Sequence, residues 1–298
     1  MENVVSARIV QLQVLDPGEI RRVQLLLPDD VEIEGRRYEI HDTMRPGTAF
    51  LAKPWGGRTR NYRRRMYTRS NAANIEPRVL ETFINDTHLP QSDTSPWWQS
   101  REAETWYEEE GIAVRVTIDK EAGIATVYEN ASQCKGANLR LEPDGEWEGR
   151  RLVCVAFGTG VTPFLSYVRY MAEQEWTKSD RKGDGFLTLI ASVRHERQLM
   201  LHQDLLKMAQ ELPQHFRYLP VLTRSWPSDW SFMTGRIIRS KVRSSGEEQI
   251  DPTPLLELVP NLSQSDLRMC GSVTACRQVT QGLKDYQIFP LTVRTESW

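Results

Sequence analysis

The second half of the chain opens with the sequence LVCVAFGTGVTP at residues 152–163, an apolar run that ends in two glycines and a proline. An unbroken apolar run is typical of a parallel strand that is buried on both faces. Gly158 and Gly160 allow a tight turn and a close approach to a ligand, and Pro163 suits the first turn of a helix. That turn offers N–H groups and a positive dipole to a phosphate. The stretch therefore predicts a strand, a phosphate loop and a helix; a tight turn that binds nothing is the alternative interpretation.

Strand and helix patterns alternate from this point to the end of the chain. The predicted strands are Leu152–Phe157, Phe186–Val193, Phe216–Thr223, Leu267–Cys270 and Ile288–Val293. The predicted helices are Pro163–Trp176, Gln198–Leu212, Thr274–Tyr286 and one that starts near Thr234. We predict loops at Ser225–Trp230 and Ser244–Pro254. This alternation is typical of a Rossmann-like, doubly wound parallel sheet.

The first half of the chain has a different pattern, with short strands and no convincing long helix. Val4–Leu15 and Arg21–Leu27 alternate apolar and polar residues around a turn, and Ala113–Ile118 and Ile124–Tyr128 have the pattern of a hairpin. This favours an antiparallel β-barrel at residues 1–150, followed by the α/β domain at 151–298. His88–Gly111 is polar, acidic and rich in tryptophan, and we interpret it as an insertion in the barrel.

Composition excludes several classes of protein. Of 298 residues, 39% are hydrophobic and 26% charged, and a formal net charge of −2 does not favour nucleic-acid binding. The four cysteines contain no C-x-x-C pair, which argues against zinc and against an iron–sulfur cluster on this chain. The five histidines show no metal spacing, and we expect His195 and His202 on the surface of one helix. No apolar run reaches the roughly 20 residues of a membrane span, and no signal peptide is evident, so we expect a cytoplasmic protein.

The small net charge conceals a strong local one. Six arginines fall within residues 58–69, with no acid among them: Arg58, Arg60, Arg63, Arg64, Arg65 and Arg69. Such a cluster requires an anionic partner or open solvent, and a solvated basic loop is the ordinary interpretation. In a strand, Arg65 and Tyr67 would share one face, where an aromatic ring can stack on a heterocycle while the guanidinium binds its phosphate.

In combination, these motifs resemble the ferredoxin–NADP reductase family of flavoproteins. The resemblance rests on the order of the two halves, on Arg65-x-Tyr67-Thr68, on the loop at 158–163 and on Met269-Cys270-Gly271. It extends to residues 44–50 and 218–224, and so covers nearly the whole chain. It implies an FAD-binding β-barrel followed by a Rossmann-like NADP-binding domain.

The resemblance also implies roles for individual residues in the barrel. Tyr67 would stack on the flavin, Arg65 would bind the FAD pyrophosphate and Thr68 would hydrogen-bond the ring near N5. Trp298 would cover the other flavin face and move aside for the nicotinamide; a disordered terminus is the alternative. The second phosphate motif of the family has no clear counterpart, and Ser132 is the candidate that we carry forward.

In the second half, the resemblance implies a site for NADP(H). The candidate residues are Gly158, Thr159, Gly160, Val161 and Thr162 at the pyrophosphate, Thr223 at the adenosine end, and Cys270 with Gly271 beside the nicotinamide. Plain packing is the alternative for Cys270, and Glu296 is a candidate counterpart of a family glutamate. Arg194, Arg224 and Arg236 follow strands whose ends share one edge of the sheet, so they can converge on a 2′-phosphate. No acid closes the strand at 186–193, which favours NADP over NAD.

The sequence thus predicts an enzyme that passes hydride between NADPH and FAD, and single electrons between FAD and a separate acceptor. An acidic ferredoxin or flavodoxin is the expected partner, because this chain lacks cluster ligands. A reductase of the same fold for an oxygenase component, a ferric siderophore or a heme protein is one alternative, favoured by the insertion at 88–111. A non-enzymatic module that binds flavin or nucleotide is the other, and a colourless protein without diaphorase activity would indicate it.

Overall fold

The computed structural model describes residues 3–16, 20–54, 64–85, 97–98, 111–129, 139–141, 150–176, 185–242 and 248–297. The chain forms two compact units. The first contains Met1–Leu141 together with Leu165–Tyr170, and the second contains Glu142–Phe164 and Met171–Trp298. The assignment of residues 1–150 to flavin and of 151–298 to nucleotide stays a prediction.

The first unit is built on one large sheet. Its strands are β1 (Val4–Asp16), β2 (Ile20–Leu26), β3 (Asp30–Ile33), β4 (Arg36–His41), β5 (Ala49–Pro54), β6 (Arg65–Thr68), β7 (Val79–Asn85), β8 (Ile112–Asp119) and β9 (Ile124–Val127). Within the described residues, their order is β3-β4-β9-β8-β1-β2-β7, and β5 pairs with both β6 and β8. All of these pairs are antiparallel except β4 with β9. The predicted antiparallel barrel half, with its hairpin of β8 and β9, is confirmed.

The second unit contains a parallel sheet. Its strands are β10 (Arg151–Phe157), β11 (Phe186–Val193), β12 (Phe216–Leu222), β15 (Asp266–Gly271) and β16 (Thr292–Ser297), with β13 (Arg239–Val242) and β14 (Glu248–Asp251) as a separate hairpin. Helix α1 (Thr162–Met171) begins and ends in this unit, although its residues Leu165–Tyr170 belong to the first. The other helices of the second unit are α2 (His202–Glu211), α3 (Thr253–Leu258) and α4 (Val273–Asp285). The described strands lie in the order β12-β11-β10-β15-β16, all parallel. The predicted doubly wound α/β half is therefore confirmed.

The core explains why β10 is apolar throughout. Residues 152–156 are buried on both faces of the strand, and β10 also has a paired neighbour on each edge, β11 and β15, in the middle of the sheet. Val153 and Val155 pack into a cluster with Ile190, Val221 and Met269 from the neighbouring strands. The position of β10 places the loop that follows it at the carboxyl edge of the sheet, where ligands of open α/β sheets bind.

Three predicted elements were wrong. No helix starts near Thr234: this residue bridges Leu222, and Gly235 follows with φ +84 in a turn that a helix cannot contain. The predicted loop at 244–254 instead contains β14 and the start of α3. The last strand is Thr292–Ser297 and not 288–293, because Pro290 lacks the N–H that a paired strand requires.

In the part of the chain that the structure describes, no helix is long and apolar enough to cross a membrane. The same residues contain no group of three or more His, Cys, Asp or Glu side chains that could hold a metal ion.

Candidate active site

The phosphate loop lies between β10 and α1. Residues Gly158–Val161 form one 3₁₀ turn, and α1 begins at Thr162. The Thr162 hydroxyl donates to the Thr159 carbonyl at 2.7 Å and closes this turn. Gly158 has φ +60, and a Cβ built on it would meet no atom within 4 Å. The backbone is therefore open beside Gly158, as the approach of a phosphate requires.

Two further glycines have a different purpose. A Cβ on Gly160 would lie 2.1 Å from the Cys270 carbonyl oxygen, and one on Gly271 would lie 2.5 Å from that of Phe157. Either contact would displace backbone. Gly160 was expected to permit the approach of a ligand, but it is the close approach of the loop to β15 that requires a glycine there.

The two arginines that follow β11 and β12 are neighbours in the backbone. The Arg224 N–H donates to the Arg194 carbonyl at 3.0 Å, and both the N–H and the hydroxyl of Thr223 donate to Val193. The Gly235 N–H donates to Leu222, which brings the segment before Arg236 to the end of β12. Arg224 and Arg236 are exposed and Arg194 is half-buried. The structure thus brings the backbones of all three together at one edge of the sheet, and their binding role stays a prediction.

An aromatic cluster in the second unit escaped the sequence analysis. His202, the first residue of α2, is half-buried, and its Nδ1 lies 3.2 Å from the Tyr218 hydroxyl. Its ring stacks against Trp230 with centroids 5.8 Å apart, and Phe232 lies beside both rings. Burial lowers the pKa of His202, so its neutral form is favoured. The expectation that His195 and His202 share the surface of one helix was wrong, since His195 precedes a 3₁₀ turn before α2.

The ends of β15 and β16 place a carboxyl group beside a thiol. Cys270 and Glu296 are register partners on the two strands, and their exposed fractions are 0% and 6%. Burial raises the pKa of both groups, that of Glu296 to about 7. The Oε2 atom of Glu296 is buried and has no hydrogen-bond partner among the described residues. An unpaired buried carboxyl group favours its protonated form, so this site can hold a proton near neutral pH.

In the first unit, β6 carries the residues expected at the flavin. It pairs with β5 so that Tyr67 lies opposite Phe50, with ring centroids 5.7 Å apart, and Thr68 lies opposite Ala49. The Thr68 carbonyl accepts the hydroxyl of Thr82 at 2.7 Å, which fixes the end of the strand. Burial raises the pKa of Tyr67 to about 12, so the phenol remains protonated.

One member of the arginine cluster was interpreted wrongly. Arg69 is buried, and its Nη1 donates to Asp42 Oδ1 at 2.6 Å. Its Nε donates to Asn71 and its Nη2 to the Val79 carbonyl. The anionic partner of Arg69 is therefore a carboxylate of its own unit, and Arg69 needs neither solvent nor an anionic ligand.

Several predicted residues lie outside the described ranges. They are Trp298, Ser132, Arg58, Arg60 and Arg63, together with all of the insertion at 88–111 except residues 97, 98 and 111.

Comparison with known proteins bears on the second unit first. The oxidoreductase NAD-binding domain family matches residues 154–281. A ferredoxin–NADP reductase of Synechocystis is 32% identical over 89 residues, 30% of this chain, and an NADH-cytochrome b5 reductase 2 of Gallus gallus is 27% identical over 139 residues, 42% of this chain. The matches span only 20% and 43% of these two relatives. This chain is ferredoxin–NADP reductase-like.

Solved structures show the same fold over the whole chain. A cytochrome P450 reductase of Amycolatopsis has a TM-score of 0.64 at 18% identity and covers 99% of this chain and 69% of its own. A flavohemoglobin of Malassezia yamatoensis, with bound FAD and heme, has a TM-score of 0.63 at 17% identity and covers 99% and 61%. The ferredoxin–NADP⁺ reductase of Plasmodium falciparum has a TM-score of 0.61 at 13% identity and covers 99% and 97%. The reductase-like fold therefore includes both units.

The residues of this reductase-like chain fit FAD and a nicotinamide dinucleotide, which are the cofactors that the family resemblance implies. Tyr67 presents a half-buried ring next to Arg65 in the first unit. The second unit offers the open backbone at Gly158 and the orphaned carboxyl group of Glu296. The first pair suits a flat ring that carries phosphates, and the second pair suits a phosphate and a proton-coupled redox group.

Proposed function

We propose that this chain is an NADPH-dependent flavin enzyme, which passes hydride between NADPH and FAD and single electrons between FAD and a ferredoxin- or flavodoxin-type carrier. One observation carries the proposal: the phosphate loop, Arg194 and Arg224 follow three adjacent strands at the carboxyl edge of one parallel sheet. A dinucleotide that bears an additional phosphate matches this arrangement of a loop and cations.

FAD, when bound, supplies a hydride acceptor at its N5 and releases electrons singly. Arg65 binds its pyrophosphate, Tyr67 stacks on its ring and Thr68 hydrogen-bonds the ring edge. The pairing of β5 with β6 supports these roles, because it holds all three residues on one rigid strand. A rigid element positions a cofactor more accurately than a loop does.

Cys270 and Glu296 serve the nicotinamide end of the site. The thiol of Cys270 is small, fully buried and kept neutral by burial, so it provides an apolar wall for the nicotinamide ring. Glu296 holds a proton near neutral pH and would supply it when two electrons reach the flavin singly from the carrier, since one proton must accompany them; hydride transfer from NADPH needs no such proton.

Arg224→Ala is expected to raise the KM for NADPH about tenfold and to leave kcat unchanged, because a charge-assisted hydrogen bond to the 2′-phosphate contributes about 1.5–3 kcal/mol. The KM for NADH should not change. The measurement is steady-state diaphorase kinetics with both nucleotides. Arg217→Ala is the matched control. Arg217 lies near the start of β12, whereas Arg224 follows the end of this strand. Equal efficiency of the wild type with NADPH and NADH would contradict the assignment.

The proposed flavin-dependent activity is tested by the visible absorption of the flavin. Purified protein reconstituted with FAD should be yellow, and NADPH should bleach the flavin band under anaerobic conditions. A protein that takes up no flavin and has no diaphorase activity would support the non-enzymatic module instead.

A reductase for a different acceptor is the second candidate function. It is favoured by Trp97 and Trp98, which connect the insertion at 88–111 to the core of the first unit. A panel of ferredoxin, flavodoxin, cytochrome b5 and an oxygenase component at equal concentration separates the candidates. Preference for ferredoxin or flavodoxin supports the proposal, and preference for one of the others supports the second candidate.

A further inference from the structure

Two consecutive tryptophans lie in an otherwise acidic and polar segment. Trp97 and Trp98 have exposed fractions of 6% and 2% and belong to the hydrophobic core of the first unit. Outside the pair, Trp98 contacts the ring of Tyr67, the residue expected to stack on the flavin.

The contact between Trp98 and Tyr67 is both apolar and polar. The two rings meet edge to face, with centroids 6.4 Å apart and an interplanar angle of 82°. The Trp98 indole N–H donates to the Tyr67 hydroxyl oxygen at 3.2 Å. Trp97 supports Trp98 from a second side, again edge to face, at 4.7 Å. Phe50, on the paired strand, contacts the Tyr67 ring at 5.7 Å.

These contacts restrain both torsions of the Tyr67 side chain. Phe50 and Trp98 limit the tilt of the ring, and the indole N–H fixes the position of the hydroxyl. A stacking ring that is held in place before its ligand arrives loses little side-chain freedom on binding, and preorganisation of this kind increases affinity.

We propose that Trp98 is a positioning residue of the flavin site, which acts through its hydrogen bond to the Tyr67 hydroxyl and so holds the Tyr67 ring in its stacking orientation. The proposal rests on the proposed function, because it requires FAD to stack on Tyr67. It gives the tryptophan-bearing insertion a purpose at the cofactor: one part of the segment belongs to the flavin site.

The test is a double-mutant cycle on the affinity for FAD. The apoprotein, Trp98→Phe, Tyr67→Phe and the double variant are titrated with FAD, and quenching of the flavin fluorescence gives Kd. Each single substitution removes the hydrogen bond and keeps an aromatic ring. Each is expected to weaken FAD binding about tenfold, and the double variant should be no more than about twofold weaker than either single variant, since the same bond is lost in all three.

Trp97→Phe is the matched control, because Trp97 touches Trp98 but makes no described ring contact with Tyr67. It should change Kd by less than about twofold, as expected for a substitution outside the coupled pair. Thermal unfolding of each apoprotein separates a loss of folding from a loss of positioning. If Trp98→Phe does not fold, Tyr67→Phe tests the same bond from the other side, and unchanged affinity in that variant overturns the proposal.

The outcomes distinguish a failure of the Trp98 proposal from a failure of the proposed function. Wild-type protein that binds FAD, with losses that multiply to about a hundredfold in the double variant, overturns the role of Trp98 and leaves the proposed function intact. Losses of the same size in Trp97→Phe and Trp98→Phe also overturn it. Wild-type protein that binds no FAD overturns the proposed function and this proposal together.

Discussion

Glu81→Gln is expected to lower the free energy of unfolding of the first unit by about 3–5 kcal/mol, because it leaves the half-buried Arg22 and Arg169 without their counter-charge. The Glu81 side chain is fully buried. Its Oε1 accepts hydrogen bonds from Ser70 at 2.7 Å and Arg169 at 2.6 Å, and its Oε2 accepts from Arg22 at 2.5 Å and Gln24 at 2.9 Å. Glutamine occupies the same volume, but it carries no charge and its amide nitrogen cannot accept a hydrogen bond.

The effect should depend on pH. Burial alone would raise the pKa of Glu81, but the charges of Arg169 and Arg22 and the two neutral donors outweigh it and hold the pKa at about 2, below its ordinary value of 4.5. The stabilising contribution is therefore complete above about pH 5 and is lost as the pH falls toward 2. The difference between wild type and Glu81→Gln should accordingly be large at pH 7 and should shrink at pH 3.

Urea denaturation at both pH values measures this difference. Glu34→Gln is the control, since Glu34 pairs with Lys120 on the surface and should change the stability by less than about 0.5 kcal/mol. Equal stability losses for Glu81→Gln and Glu34→Gln would show that the buried ion pairs contribute nothing to the fold.

Periodicity predicted those elements that the core constrains on two sides. The central strand β10 is apolar over residues 152–157, because it has neighbours on both edges and packing on both faces. Its sequence therefore predicts a buried strand. The hairpin of β8 and β9 was predictable for a related reason, since one face of each strand contributes to the core of the first unit. Burial leaves a strong pattern in a sequence.

Periodicity failed at the edges of the fold. Among the described strands, β16 pairs with β15 alone, so its residues are largely polar, whereas the apolar Phe289 and Leu291 just before it are 66% and 65% exposed. Hydrophobicity therefore predicts a strand at 288–293, four residues before the strand at Thr292–Ser297. The start of α3 did carry a local signal: Asp251 Oδ1 accepts the Thr253 N–H at 3.0 Å, and Pro254 follows in the first turn.

The candidate site was predictable where backbone geometry limits the choice of residue, as at Gly158. It was not predictable where the decisive contact joins distant parts of the chain. In sequence, Arg69 does not differ from its neighbours in the basic cluster; its contact with Asp42 is visible only in the structure. Trp98 likewise lies 31 positions from Tyr67, to which it donates a hydrogen bond. Single-sequence patterns contain local spacing, and such contacts are not local.

Glu296 was a candidate from the sequence through a loose match to a family motif, and the structure shows that its side chain is buried. Its pKa is raised from 4.5 to about 7 by burial alone. Between these values the folded protein retains a proton that the unfolded chain has lost, so stability falls as the pH rises from about 4.5 to about 7 and stays lower above that. A shift of this size corresponds to about 3 kcal/mol at 1.36 kcal/mol per unit.

Glu296→Gln should therefore make the apoprotein about 3 kcal/mol more stable than the wild type at pH 8 and leave it about equally stable at pH 4.5. The same variant should slow flavin reduction by the one-electron carrier about a hundredfold at pH 6.5, because two single electrons need one proton that the amide cannot supply, and general acid–base groups contribute 10²- to 10⁴-fold. Urea denaturation and stopped-flow reduction of the flavin by the reduced carrier measure the two effects, with the exposed Glu257→Gln as control. A gain in stability without a loss of rate would assign Glu296 to strain in the fold alone. A loss of rate without any dependence of stability on pH would show that the carboxyl group is solvated. A gain in stability at pH 8 together with a loss of rate at pH 6.5 would identify a proton on Glu296 that destabilises the fold when it is lost and that the reaction uses.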